Sequence, residues 1–388
     1  MVTTIMTAPV RKLVTALDER RAGELIRELL ARAGIKVGGS DPWDIQVRDP
    51  RLYARVLRDG SLGFGEAYVD GWWDAPALDQ TMDRLLRARL DDAVGDSWVL
   101  LAQAMRARLL NPQRLRPFEI ARKHYDLGND LYEAMLDRRL VYTCAYWNGA
   151  TSLDAAQEAK LDLVCRKLGL REGMTVLDLG CGWGGFASFA AERYGARLVG
   201  YTVSREQVAW AKARYAHLPV DIRLDDYRRA TGRYDAVVSI GLMEHVGPKN
   251  YRAYMELVDR CLVPDGVAFV HTIASTRSRG ETDPWFHRYV FPDATFPSMA
   301  QLGRALEELL VAEDLHNLGP HYDPTLMSWW ANFDAAWPRL RDRYGAAFYR
   351  MWKYYLLVSA ATFRSRSLQL YQLVMTRQGS PQPACRRG

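Results

Sequence analysis

A chain of 388 residues has room for two or three domains and a large core. Its formal charge of +6 is a mild excess that suits an anionic lipid surface, and no Arg/Lys block interleaved with aromatics marks a nucleic-acid-binding face. The 5 cysteines are scattered and odd in number, with no C-x-x-C pair, so a reducing compartment is expected and no metal site.

The 12 Trp and 20 Tyr suit a core, an apolar site or a membrane interface. Met1 to Leu13 lacks the apolar centre of a signal peptide, and no apolar run reaches the ~18 residues that span a bilayer. These features predict a cytoplasmic protein whose membrane contact is peripheral, at the inner face.

In chain order, residues 1–17 read as a loose start. Leu25/Ile26 and Leu29/Leu30 recur at helical spacing across Glu19 to Ala33, and Gly34 supplies a stop. Asp41 to Val47 alternates like a short strand. Arg51 to Leu57 reads as a helix closed by Asp59-Gly60. An aromatic- and glycine-rich stretch, Gly63 to Asp74, precedes a helix near Leu78 to Leu90. Residues 1–95 therefore form a small helix-rich N-terminal domain.

Residues 96–123 are a basic, partly apolar connector carrying Arg106, Arg108, Arg114, Arg116, Arg122 and Lys123. Two readings stand: a solvated linker helix, or arginines set against anionic head groups with leucines at the acyl boundary.

The third segment, 124–388, opens at His124-Tyr125-Asp126-Leu127-Gly128-Asn129-Asp130. Strands are expected near Thr175–Gly180, Arg197–Val203, Asp221–Asp226, Tyr234–Gly241 and Gly266–Ile273. Helices fill the gaps, Tyr251–Leu262 among them, and a last strand pair falls at Val311–Leu318 and Leu368–Thr376. This alternation predicts an α/β fold, a mostly parallel sheet with helices on both faces and ligands bound outside the strands' carboxyl ends.

Val176-Leu177-Asp178-Leu179-Gly180-Cys181-Gly182-Trp183-Gly184-Gly185 organises that segment: a strand, an acid, a glycine turn, then a helix. Glycines there permit positive φ and close approach of a ligand to the backbone. By itself the G-x-G-x-G spacing is a weak signal. The second strand ends Tyr201-Thr202-Val203 with no terminal acid, which argues against a nicotinamide cofactor. Ser204 and Gln207 spell S-x-x-Q, so Gln207 caps a helix or, with Thr202, holds a ribose. Glu244 and His245 close a strand in tandem, and adjacent residues leaving a strand end diverge, so one of them is expected to face the site. His271 and Ile273 share a strand face. A lone histidine there is either a structural hydrogen-bonder or a site residue.

Taken together, these stretches are specific. Gly60-Ser61-Leu62-Gly63, Tyr68 to Trp73, His124 to Asp130, Cys144 to Trp147, the glycine loop, Glu244 to Tyr251, His271-Thr272-Ile273, and Tyr322-Asp323 with Thr325-Leu326-Met327 all match one pattern. From about Leu25 to Thr376 the chain resembles the cyclopropane fatty acid synthases, more closely the phospholipid-modifying bacterial forms than the shorter mycolic acid forms.

The resemblance implies a class I S-adenosylmethionine (SAM)-dependent methyltransferase fold, Rossmann-like with a seven-stranded sheet, behind a lipid-engaging N-terminal domain, often as a homodimer. It implies SAM held by Tyr142, Thr143, Asp178, Gly180, Gly182, Thr202, Val203, Gln207, Tyr227, Arg228 and Ile240. It also implies a bicarbonate ion cradled by Cys144, Glu244, His271, Tyr322 and the backbone of Ile273. The implied reaction adds a methylene across the cis double bond of an unsaturated phospholipid acyl chain, through a carbocation deprotonated at the bicarbonate. Tyr125, Tyr146 and Tyr322 are the aromatic candidates for stabilising that cation.

Two rival functions remain from sequence. One is a lipid methyltransferase giving methyl-branched or methylene chains. The other is a catalytically silent SAM- or lipid-binding protein. One departure stands out: Ser359 occupies the place where relatives commonly carry a cysteine, and it is assigned no catalytic role.

Overall fold

The computed structural model describes residues 19–89, 128–278 and 282–385. The connector at 96–123, the start at 1–17 and the first four residues of the His124 motif, Tyr125 included, lie outside the described residues. The chain divides into two compact units. Of the described residues, the first unit takes 19–89, 283–290 and 337–367, and the second takes 128–278, 282, 291–336 and 368–385. The first unit thus gathers two segments far along the chain that sequence order alone groups with 124–388.

In the first unit, helix α1 (Glu19–Arg32) follows its apolar spacing. The strand expected at 41–47 shrinks to β1 (Gln46–Val47), paired antiparallel with β2 (Trp73–Asp74). Helix α2 (Arg51–Val69) does not stop at Gly60. The chain breaks there at φ 58° and ψ −134°, then resumes as helix through the glycine-rich stretch. Gly65 serves packing: a Cβ on it would lie 2.4 Å from Cδ1 of Trp285. A composition that reads as loop is here a helix face that another ring must approach. Trp285 sits in α9 (Pro284–Tyr289).

Helix α3 (Leu78–Arg87) ends slightly short of expectation. The adjacent tryptophans have opposite duties. Trp73 is fully buried and stacked on Phe64 at 4.2 Å, whereas Trp72 carries the guanidinium groups of Arg51 and Arg55, each 4.7 Å from its ring. Arg350 ties this unit together, donating to the carbonyls of Tyr68 and Trp73 and to Asp74 Oδ2.

The second unit is built on a seven-stranded sheet in the order β5-β4-β3-β6-β7-β9-β8. Its strands are β3 (Thr175–Leu179), β4 (Arg197–Thr202), β5 (Val220–Leu224), β6 (Tyr234–Ile240), β7 (Leu262–Ser275), β8 (Val311–Asn317) and β9 (Leu368–Thr376). The first five pair in parallel, and β9 runs antiparallel between β7 and β8. β7 begins earlier than the sequence suggests, because Leu262 pairs with Tyr234 before a register shift. Helices α4 (Asn129–Met135), α5 (Leu153–Leu168), α6 (Gly185–Tyr194), α7 (Arg205–Tyr215), α8 (Tyr251–Arg260) and α10 (Met299–Leu306) complete it. Helix α11 (Gly319–Arg364) starts in this unit, and its chain is broken at Gly345 by a φ of 78°.

Two apolar layers cover the sheet. Val176, Ala236, Val238, Phe269 and Val374 face α5 and α6, and Leu177, Val237, Val270, Leu373 and Met375 face α8 and α10. The central strands β3, β6, β7 and β9 are mostly apolar and buried because both faces are covered, whereas the edge strands β5 and β8 carry charges and are mostly exposed. Order reverses at β3, where β4 lies on one side and β6 on the other, so a crevice opens at the carboxyl ends of these strands.

Candidate active site

The glycine loop fills that crevice. Gly180, Gly182 and Gly184 follow β3 with φ of 83°, 56° and 79°, a path closed to other residues without strain. Trp183 anchors the loop, its indole N–H donating to Asn129 Oδ1 at 3.1 Å. The end of the His124–Asp130 motif is thereby joined to the loop, 54 residues away in sequence.

The neighbouring strand ends supply the remaining sequence candidates. Thr202 closes β4 and donates its hydroxyl to Oε1 of Gln207 at 2.6 Å. Ser204 caps α7 by accepting from the Gln207 backbone N–H. The capping pattern is therefore half formed: the Gln207 side chain turns toward the strand end. Val203 follows Thr202. Tyr227 and Arg228 lie in a single 3-10 turn after β5, where Arg228 grips Asp226 through Nε at 2.9 Å and Nη2 at 2.6 Å. Ile240 ends β6. The next residue, Gly241, has φ 75°, and a Cβ on it would sit 2.7 Å from Cγ2 of Thr143. Tyr142 packs its ring 5.3 Å from Tyr132 and 5.1 Å from Trp329.

Beneath this rim lies a charged group that sequence reasoning missed. Lys160, fully buried on α5, donates from Nζ to Thr143 Oγ1 at 2.8 Å. One turn earlier, Gln157 donates to the carbonyls of Val141 and Thr143. Burial lowers the Lys160 ammonium to about 8, while Asp137, Cys144 and Asp178 pull it back up. Burial likewise raises Asp178 to about 7, partly offset by Lys160. The signal was present: Gln157, Lys160 and Lys167 interrupt the stripe Leu153, Ala156, Leu161, Val164, Leu168, and buried charges need a partner.

The second set of candidates surrounds β7. Met243, Glu244 and His245 form one 3-10 turn beyond β6. Glu244 is buried and its Oε1 accepts the Ile273 backbone N–H at 2.6 Å. Burial raises Glu244 to about 7, against the lowering effects of the Ile273 N–H, its own backbone and Thr272. The Ile273 N–H is thus engaged by the cradle's own acid. His245 diverges toward Phe291, and burial lowers it to about 4.

His271 is 1% exposed, and its Nδ1 lies 3.3 Å from Nε2 of Gln372. Burial, and then Lys160 and Lys167, hold its pKa well below the usual range. Two atoms in this set, Glu244 Oε2 and His271 Nε2, are buried with no hydrogen-bond partner. Fourteen side-chain atoms of the described residues share that state, and these two are the ones that belong to the sequence-predicted site, where a ligand or ordered water could meet them.

Cys144 is buried, its thiol pushed upward by burial and directed at the Ala145 and Leu318 carbonyls. Its loop is stapled to the start of α11. Thr325 Oγ1 accepts from the Ala145 N–H at 3.1 Å and from the Trp147 indole at 2.9 Å, and the Trp147 N–H donates to His321 Nδ1. Tyr322, on the same first turn of α11, packs against Trp329. Tyr146 packs against His321 at 4.9 Å.

A seven-stranded sheet in this order, with one antiparallel strand, β9, set between β7 and β8 and a glycine loop after β3, is that of a class I SAM-dependent methyltransferase. The chain matches the family described as mycolic acid cyclopropane synthetase over residues 113–373, and it belongs to that family. It is 46% identical over 354 residues to the cyclopropane-fatty-acyl-phospholipid synthase of Escherichia coli strain K12, covering 91% of this chain and 93% of that one. It is 32% identical over 398 residues to tuberculostearic acid methyltransferase UfaA1 of Mycobacterium tuberculosis, covering 94% and 91%. Among solved structures, mycolic acid cyclopropane synthase CmaA1 complexed with SAH and CTAB superposes with a TM-score of 0.63 at 30% identity, over 67% of this chain and 98% of that one.

Proposed function

We propose that this chain transfers a methylene unit from SAM to the cis double bond of an unsaturated acyl chain in a membrane phospholipid. The products are a cyclopropane ring, S-adenosylhomocysteine and a proton. The identity to the Escherichia coli enzyme across both units carries the reading.

An isolated alkene is a weak nucleophile and attacks only a strongly electrophilic methyl such as that of a sulfonium. The C–S bond breaks, a C–C bond forms, and the far alkene carbon is left cationic. Loss of a proton from the transferred methyl then closes the ring. Tyr146 and Tyr322 offer ring faces, each worth about 1–2 kcal/mol to a desolvated cation. The glycine loop and the Thr202–Gln207 pair are the candidates for seating SAM.

The orphaned Oε2 of Glu244 and Nε2 of His271 fit a small ion that both donates and accepts hydrogen bonds, as bicarbonate does. When bound, bicarbonate would supply a base beside the transferred methyl. Glu244, anchored by Oε1 and with a pKa near neutrality, is suited to hold a proton on Oε2 and release it. His271 stays neutral, which avoids a second charge in the cradle. Cys144 stays a thiol and donates weakly.

The finer picture is a peripheral homodimer at the inner membrane face. Among the described residues no helix is long and apolar enough to cross a membrane.

The test is mass spectrometry of acyl chains after incubating the protein with SAM and unsaturated liposomes, with and without bicarbonate. A bicarbonate-dependent gain of one CH₂ supports the reading. A gain independent of bicarbonate removes the ion from it, and no gain contradicts the transfer.

A further inference from the structure

A polar row crosses the sheet behind the proposed cradle. His271 pairs with Gln372, and Gln372 pairs with His316. Gln372 is fully buried among apolar strand residues, flanked along its face by Leu370 and Val374. Its Nε2 lies 3.3 Å from His271 Nδ1. At the far end of the row, Lys167 Nζ lies 3.3 Å from His316 Nδ1 and donates to Asp314 Oδ2 at 2.9 Å.

A neutral imidazole carries its proton on one nitrogen only, and the partner of the other nitrogen decides which. Gln372 turns its amide N–H rather than its oxygen toward Nδ1, and in that orientation Nδ1 is the acceptor. The proton then resides on Nε2, the atom that is buried and without a protein partner.

We infer that Gln372 is a positioning residue that fixes His271 as the Nε2–H tautomer and aims that single donor into the site. This deepens the proposed function and rests on it for the identity of what receives the hydrogen bond; the tautomer itself does not depend on it. The consequence is a division of labour. His271 only donates to a bound anion, so the proton taken from the transferred methyl leaves by another group, and Glu244 Oε2 is the acceptor available. Burying the Gln372 amide costs free energy, and its contact with His271 offsets part of that cost, Oε1 being buried without a hydrogen-bond partner.

The experiment is ¹⁵N–¹H NMR of the full-length, histidine-¹⁵N-labelled protein, with H271N identifying the His271 signals. The wild type is expected to show a protonated Nε2 and a bare Nδ1. In Q372E a carboxylate faces Nδ1, and the protonated nitrogen should switch to Nδ1. In Q372L the tautomer preference should be lost and kcat should fall about tenfold or more, with KM for SAM and the melting temperature little changed. A wild-type His271 protonated on Nδ1 overturns the inference and needs no variant. So does Q372L with both its tautomer and its kcat unchanged. Full turnover in H271N would instead refute the placement of His271 in the cradle, whatever the tautomer.

Discussion

Glu244 and Ile273 meet through one hydrogen bond of 2.6 Å, from the Ile273 backbone N–H to Oε1 of Glu244, and this bond fixes an acid against the strand that carries His271. It links the turn after β6 to the end of β7 and leaves Oε2 buried without a partner. The acid is thus held rigidly while half of its hydrogen-bonding capacity is reserved.

Glu244 predicts opposite effects on stability and rate. Its native pKa of about 7 exceeds the ordinary 4.5, so between these values the native state binds more protons than the unfolded chain. The contribution of this group to stability therefore falls as pH rises through that window. E244Q should melt no lower than wild type at pH 8 while losing at least about 100-fold in kcat. The wild-type kcat/KM should climb with pH through about 7, and E244Q should lack that limb. Calorimetry and a pH–rate profile check both.

Thr325 should matter more than its size suggests. Its hydroxyl accepts from Ala145 and Trp147 and donates to the His321 carbonyl at 2.7 Å. T325V keeps the shape but removes the acceptor of the buried Ala145 N–H, at about 1–3 kcal/mol, and of the part-buried Trp147 indole. Urea unfolding should register that loss, and KM should rise as the Cys144 loop loosens. T325S should restore both.

Gly241 and Thr143 form a steric pair. G241A places a Cβ 2.7 Å from Thr143 Cγ2 at a backbone angle unfavourable to alanine. SAM affinity, measured by calorimetric titration, should weaken in G241A. T143S removes the clashing methyl, so the double variant should regain part of the affinity, the remaining deficit being backbone strain.

Lys160 should be a stability residue with a pH signature. K160M leaves buried Asp137 and Asp178 without its charge, at about 3 kcal/mol near neutral pH. The native pKa of about 8 lies below the ordinary 10.5, so wild-type stability gains from this group as pH rises from 8 to 10.5. Urea midpoints across that range should show the slope in wild type and lose it in K160M.

The arginines of the connector predict a lipid effect without a cofactor effect. Changing Arg106, Arg108, Arg114 and Arg116 together to Gln should reduce sedimentation with anionic liposomes and leave SAM binding intact. Unchanged sedimentation would exclude the connector as the lipid-facing segment.

The sheet was legible because its central strands are mostly apolar runs bounded by glycine or polar residues, and Leu368–Thr376 matches its expected span in full. Helix α2 was not, because Gly60, Gly63 and Gly65 carry a loop composition, and the reason for Gly65, close approach by Trp285, depends on a segment about 220 residues away. The same limit applies to the site. Motif residues at strand ends could be named from pattern, whereas Lys160 and Gln372 act through partners that only the fold brings near. Polar residues inside apolar stripes were their trace in the sequence.

The most direct measurement of the central claim uses SAM bearing a fully deuterated methyl group. Phospholipid product is analysed by mass spectrometry before and after catalytic hydrogenation under olefin-reducing conditions. Cyclopropanation predicts that two of the three methyl deuteriums are retained and that the product takes up no hydrogen. Retention of all three deuteriums, or a product that hydrogenation reduces, would contradict ring closure and assign the chain to the methyl- or methylene-forming class.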